Sequence, residues 1–216
     1  MKTKIIINKK VAIGLFILFL FLIVQFYPIV ETVIAATATD NVIVTLDVTT
    51  GITISDGANV TMAPNLGVTA DQSIGSSSWL VKTNATLGYT LAVKASAAPA
   101  LVSGANSFAD FTEAVSGTPE VWSVASGAKE FGYSAFGTDT ATATWGTGAS
   151  CGAAGVPTGT AKYVGFKITD KTIATRATVT PNAGITTTIC FAAQQNAIFA
   201  DSGTYTATIT ATALTL

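Results

Sequence analysis

From Asn41 onward the chain runs in a two-residue rhythm of apolar and polar positions, interrupted at short intervals by Gly, Pro, Asn and Asp. Side chains alternate between the two faces of a strand, so this period predicts β-strands with one face turned toward a core. The first long run, "NVIVTLDVT" (41–49), sets Val42, Val44, Leu46 and Val48 on one face, and Ile43 asks for partial cover on the other. Short strands "ITIS" and "NVTMA" follow across Asp56-Gly57, a hairpin signal. Then come "WLVKTN" and "GYTLAVKA", the latter with Tyr89, Leu91 and Val93 sharing a face. The series resumes with "KEFGYSAFG", "ATATW", "AKYVGFKIT", "TIATRATVT", "TTTICFAA" and "TYTATITATA". In the last run Ala207, Ile209, Ala211 and Ala213 face the core, while Thr206, Thr208, Thr210 and Thr212 face water. Turn chemistry at Gly146, Gly148, Asp170-Lys171 and Pro181 to Gly184 separates these later strands.

About nine to eleven short strands within residues 39–216 predict a single all-β domain, an antiparallel two-sheet β-sandwich, with a closed barrel as second choice. The rhythm fails over about 96–128, which reads as an irregular insertion with one helical turn around Phe108 to Ala114. Its expected role is to pack Phe108, Phe111 and Trp122 over an open end of the core, although excursions of this length also carry binding residues.

Residues 1–38 have a different pattern. Lys2, Lys4, Lys9 and Lys10 precede fourteen residues without a polar side chain, Val11 to Val24, after which Gln25 and Pro28 interrupt the run. Small residues then offer cleavage positions at Val33-Ile34-Ala35 or Ala36-Thr37-Ala38. That is the anatomy of a signal peptide forming an apolar signal helix. An uncleaved membrane anchor is the rival, because Val11 to Val30 is long enough to span if Gln25 is tolerated. Both readings place the rest of the chain outside the cytoplasm, as an extracellular or cell-surface protein.

Composition narrows the chemistry. The chain has no His, which removes the commonest general base and the commonest neutral metal ligand. Charged residues make up only 11% of it. Beyond residue 38 there are 7 basic and 11 acidic residues, about −4 in net charge, with no basic patch, so nucleic acid is not an expected partner. The carboxylates sit mostly in turn-like sequence, where Asp caps its own backbone. "SDGAN" and "ADFTE" offer too few oxygens for a calcium loop, so neither cofactor nor metal is expected. Cys151 and Cys190 are paired as a disulfide in this reading, with two buried thiols as the alternative. Trp79 reads as core, whereas Trp122 and Trp145, at loop edges, are the candidate ligand-facing aromatics for a polysaccharide.

Asp201-Ser202-Gly203-Thr204-Tyr205 resembles the D-x-G-x-Y tyrosine corner of immunoglobulin-like sandwiches, in which the Tyr hydroxyl bonds back to nearby backbone. Ala207 stands where antibody domains carry Cys. With "NVIVTLDVTTGITIS", "WLVKTNATLGYTLAVKAS" and "GTYTATITATA", the layout is similar to secreted bacterial cell-surface proteins of the immunoglobulin-like or WxL-like kind, without the C-terminal tryptophan motifs of true WxL domains. The resemblance implies an envelope location more than an activity.

Three functions are compatible with this sequence. The first is a non-catalytic structural or adhesive protein of the cell envelope, facing envelope components. The second is a filament or surface-layer subunit that donates the strand near Thr39 to Thr49 to another copy of itself. The third is a carbohydrate-binding module. No enzyme activity is expected, and the membrane is a partner only through an uncleaved N-terminal segment.

Overall fold

The computed structural model describes residues 9–25, 37–55, 57–147 and 150–216, arranged as two compact units, Met1–Asp47 and Val48–Leu216. Pro28, the cleavage positions at 33–36, Asp56 and Gly148 lie outside the described residues. In the first unit, α1 (Lys9–Gln25) is a single helix that is apolar on every side from Ile13 to Ile23. Among the described residues no helix is long and apolar enough to cross a membrane. Residues 37–47 carry no regular structure and are exposed throughout.

The second unit is all-β and mostly antiparallel. Its strands are β1 (Ile52–Ile54), β2 (Gln72–Thr83), β3 (Tyr89–Ala95), β4 (Leu101–Ser103), β5 (Asn106–Asp110), β6 (Glu120–Val121) and β7 (Lys129–Gly137). A short helix, α2 (Thr142–Trp145), precedes β8 (Gly152–Ala153), β9 (Val156–Pro157), β10 (Lys162–Gly165), β11 (Lys171–Arg176), β12 (Ile185–Gln195) and β13 (Ile209–Thr215). The large sheet runs β1-β2-β12-β7-β10-β6, and β5 joins it by a short parallel pairing to β7. The small sheet is β11-β3-β13, and β8-β9 forms a separate ribbon.

Both larger sheets turn apolar faces to one core. Tyr89, Leu91 and Val93 of the small sheet share a cluster with Val81, Tyr133 and Ile189 of the large one. Around Phe166 the aromatic rings stack, with the Tyr133 and Phe131 centroids 4.3 Å and 5.2 Å away. The Cys151–Cys190 disulfide forms, tying the loop before β8 to the middle of β12.

Several expectations are corrected. The segment 41–49 forms no strand: alternation states which face a strand would bury, but a strand also needs a backbone partner, and none pairs with it among the described residues. "NVTMA" contributes only an isolated bridge, Ala63 to Ile74. "ATATW" is a helical turn rather than a strand, and it delivers Trp145 to Tyr133 at 5.7 Å between ring centroids. The turn expected around Phe108 to Ala114 is instead strand β5 and its exit. The insertion holds β4, β5 and β6 and does pack Phe108 and Phe111 into buried positions. β2 begins seven residues before the "WLVKTN" run, at Gln72. Its small residues allow this, since a Cβ on Gly75 would collide with Val60, which lies over it.

Candidate functional site

The feature of this unit that invites a partner is an unfilled sheet edge. Among the described residues β13 pairs with β3 alone, in register from Ile209 opposite Ala95 to Thr215 opposite Tyr89. Ser96 N–H donates to the Thr208 carbonyl at 3.0 Å and Leu216 N–H to the Gly88 carbonyl at 3.1 Å. In an antiparallel ladder bonded pairs alternate, so the even-numbered residues of β13 spend their backbone groups on β3. The N–H and C=O groups of Ile209, Ala211, Ala213 and Thr215 therefore point away from β3, to the free edge.

The side chains of those same odd-numbered residues point inward and are only half-buried. β1, the edge strand of the large sheet, lies beside β13 without pairing to it. Its Ile52 and Ile54 are likewise half-buried against the core cluster, together with Val60 and Met62. Both sheets thus end on the same side with an incompletely covered apolar seam between them. On the outer face of β13, Leu214 and Leu216 stand 63% and 51% exposed where the preceding outward positions are Thr.

Directly before β1 runs the segment that sequence alternation picked out. Val42, Val44, Leu46 and Val48 are 83%, 88%, 84% and 76% exposed, and Ile43 is 90% exposed. Soluble proteins rarely leave a contiguous apolar row in water without a use for it. The segment's C-terminal end is fixed: Asn84 donates from Nδ2 to the Thr49 carbonyl at 2.8 Å and accepts from Gly51 N–H at 2.7 Å. Thr83 Oγ1 donates to the Gly51 carbonyl at 2.8 Å.

The other residues of interest have structural surroundings. Trp145 is 3% exposed and Trp79 8%, both within the core cluster. Trp122 stacks on Phe111 at 4.6 Å, meets Tyr163 edge-on at 5.3 Å, and donates from Nε1 to Gln194 Oε1 at 2.8 Å. Neither of the aromatics singled out for a sugar presents a free ring face on both sides. Tyr205 Oη donates to the Asp201 carbonyl at 3.1 Å, closing the turn through Gly203, and its ring meets Phe108 edge-on.

Glu113 and Asp110 act on backbone. The buried Glu113 carboxylate accepts from Gly165 N–H at 2.6 Å and Gly117 N–H at 3.1 Å, and Asp110 accepts from Ala100 N–H at 3.0 Å. Burial raises the pKa of both Asp110 and Glu130. Burial also pushes the Tyr163 hydroxyl up to about 12. Sequence reasoning missed a half-buried lock in which Asp139 accepts from Tyr89 Oη at 2.8 Å and from Arg176 Nη1 at 3.2 Å. The lone Arg beyond the signal-like segment was the available clue. Among the described residues no group of three His, Cys, Asp or Glu side chains could hold a metal. Comparison of the chain with protein families, curated proteins and solved structures finds no match to any of the three.

Proposed function

We propose that this protein is an exported, non-catalytic structural subunit of the cell envelope whose copies assemble by strand donation, residues 39–49 of one copy completing the sheet of another. The observation that carries this reading is the coexistence, in one chain, of an alternating apolar segment left in water and a sheet edge whose apolar seam is half-covered. Burying a Val or Leu side chain contributes about 1.5–3 kcal/mol. A chain that leaves four of them exposed in a row has a strong drive to find cover. An added strand also satisfies main-chain groups at the edge, which is how β-augmentation gains affinity.

On this reading the second unit is a two-sheet, immunoglobulin-like sandwich lacking one strand, and α1 belongs to a signal segment that exports the chain. The disulfide is in keeping with an oxidising, extracellular location. Partners are then other copies of the same chain, with envelope components on the outer faces. A polysaccharide ligand has weaker support, since Trp145 is buried and Trp122 is stacked against Phe111.

The test compares the full chain with a variant lacking residues 39–49 by sedimentation and electron microscopy. The full chain is expected to form polymers or extended layers. The deletion variant is expected to stay monomeric with an unchanged β circular-dichroism signal. Polymers of equal length from both chains would remove the reading.

A further inference from the structure

The assembly reading leaves open where the donated strand sits and in which direction it runs. We infer that the acceptor is the free edge of β13 in a second copy, and that residues 42–48 pair with it antiparallel, Ile43 lying opposite Leu214. This rests on the strand-donation reading and specifies its site.

The direction follows from what each register puts side by side. Both candidate registers set the inward row Val42, Val44, Leu46 and Val48 against the four residues whose backbone groups face the free edge. Run antiparallel, Val44 and Leu46 fall beside Ala213 and Ala211, so bulky side chains stand next to small ones in the half-covered seam. On the outer face Ile43 meets Leu214, Thr45 meets Thr212, and Asp47 meets Thr210. Ile43 and Leu214, exposed outward at 90% and 63%, then cover each other. Run parallel, with Val42 beside Ile209, the outer face is mismatched, because Ile43 falls on Thr210 and Asp47 on Leu214. Cross-strand neighbours on one face are the unit of sheet stabilisation, so the antiparallel register is favoured.

The same geometry identifies the occupant as another copy. Thr49 and Gly51 are held by Asn84, at the β2–β3 turn. Leu216 reaches that same turn through Gly88. A chain's own segment therefore has its C-terminal end at the Leu216 end of β13 and could lie along it only in the parallel sense. Antiparallel pairing would put its own Val48 at Ile209, about 20 Å away along β13 at ~3.4 Å per residue. The three peptide units from Val48 to Gly51 reach about 11 Å at most. Only a second molecule can supply the antiparallel strand.

The test uses cysteines on the exposed outer face, where they leave the core untouched. Full chains carrying Ile43→Cys are co-assembled with full chains carrying Leu214→Cys and oxidised, and joined peptides are identified by mass spectrometry. The 43–214 disulfide between copies is expected as the main product, and replacing Leu214→Cys by Thr210→Cys is expected to abolish cross-linking. A 43–210 disulfide without 43–214 would overturn the inference in favour of parallel pairing. Closure of 43 to 214 within one dilute chain carrying both cysteines would overturn the second-copy occupant. Assembly that needs residues 39–49 but yields neither disulfide would reject this acceptor and leave strand donation standing. Assembly that ignores residues 39–49 would reject both.

Discussion

Glu130 shows how single residues in this core answer to pH. Removal from water, with Glu113 adding a smaller push, raises its pKa above the usual 4.5, against the opposing donors of Thr112. The folded state therefore holds this proton more tightly than the unfolded chain does. Its contribution to stability is complete below about pH 4.5 and is lost as pH rises through the raised value. Glu130→Gln keeps the acceptor and removes the buried charge. We expect thermal melts of variant and parent to coincide near pH 4 and the variant to melt higher near pH 7. A variant that melts lower at both would show that the carboxylate is needed as such.

The cysteines were the most legible residues, because two Cys in a chain that reads as exported have few other expected uses. Their bridge closes a loop of 39 residues in sequence separation. In the chain-entropy account such a loop is worth ~4 kcal/mol. Urea titration of the Cys151→Ala, Cys190→Ala double variant is expected to lose up to about that much. The tryptophans were harder to read. A loop-edge position does not reveal that α2 swings Trp145 under Tyr133, or that Phe111 arrives from the insertion to stack on Trp122.

At the scale of elements, period two located β3, β7, β10, β11, β12 and β13: burial alternates along β3 and β13, whereas β7, β10 and β12 are covered on both faces and were legible from their own residue alternation. It failed where a strand is very short or built from small residues. β2 passes under Val60 through Ser and Gly, which carry little apolar signal. "ATATW" alternates equally well as strand or as a short turn of helix. The segment 41–49 alternates apart from Ile43 and pairs with no strand among the described residues, because pairing is a property of two strands and periodicity is a property of one.

β13 supplies a sharp element-level test. Ala211 directs its N–H to the free edge, whereas Thr212 directs its N–H to Ala92 of β3. Proline is tolerated on an edge strand only where the lost N–H faces outward. Ala211→Pro is expected to give a folded, disulfide-bonded protein that fails to assemble. Thr212→Pro is expected to lose a ladder bond and to unfold at lower denaturant. Equal destabilisation by both, read by circular dichroism, would show that the outer edge is not free.

On the proposed reading the whole molecule is a subunit that is folded but unfinished, its core open along β1 and β13 and its missing strand carried in front of its own first strand. The direct measurement is residue-resolved hydrogen–deuterium exchange on dispersed and assembled full-length protein. In the dispersed state the amides of Thr210, Thr212 and Leu214, bonded to β3, are expected to be protected, and those of Ile209, Ala211, Ala213 and Thr215 to exchange freely. On assembly these four are expected to become protected together with the amides of Val42, Val44, Leu46 and Val48. Assemblies in which all eight continue to exchange as in the dispersed protein would contradict the account.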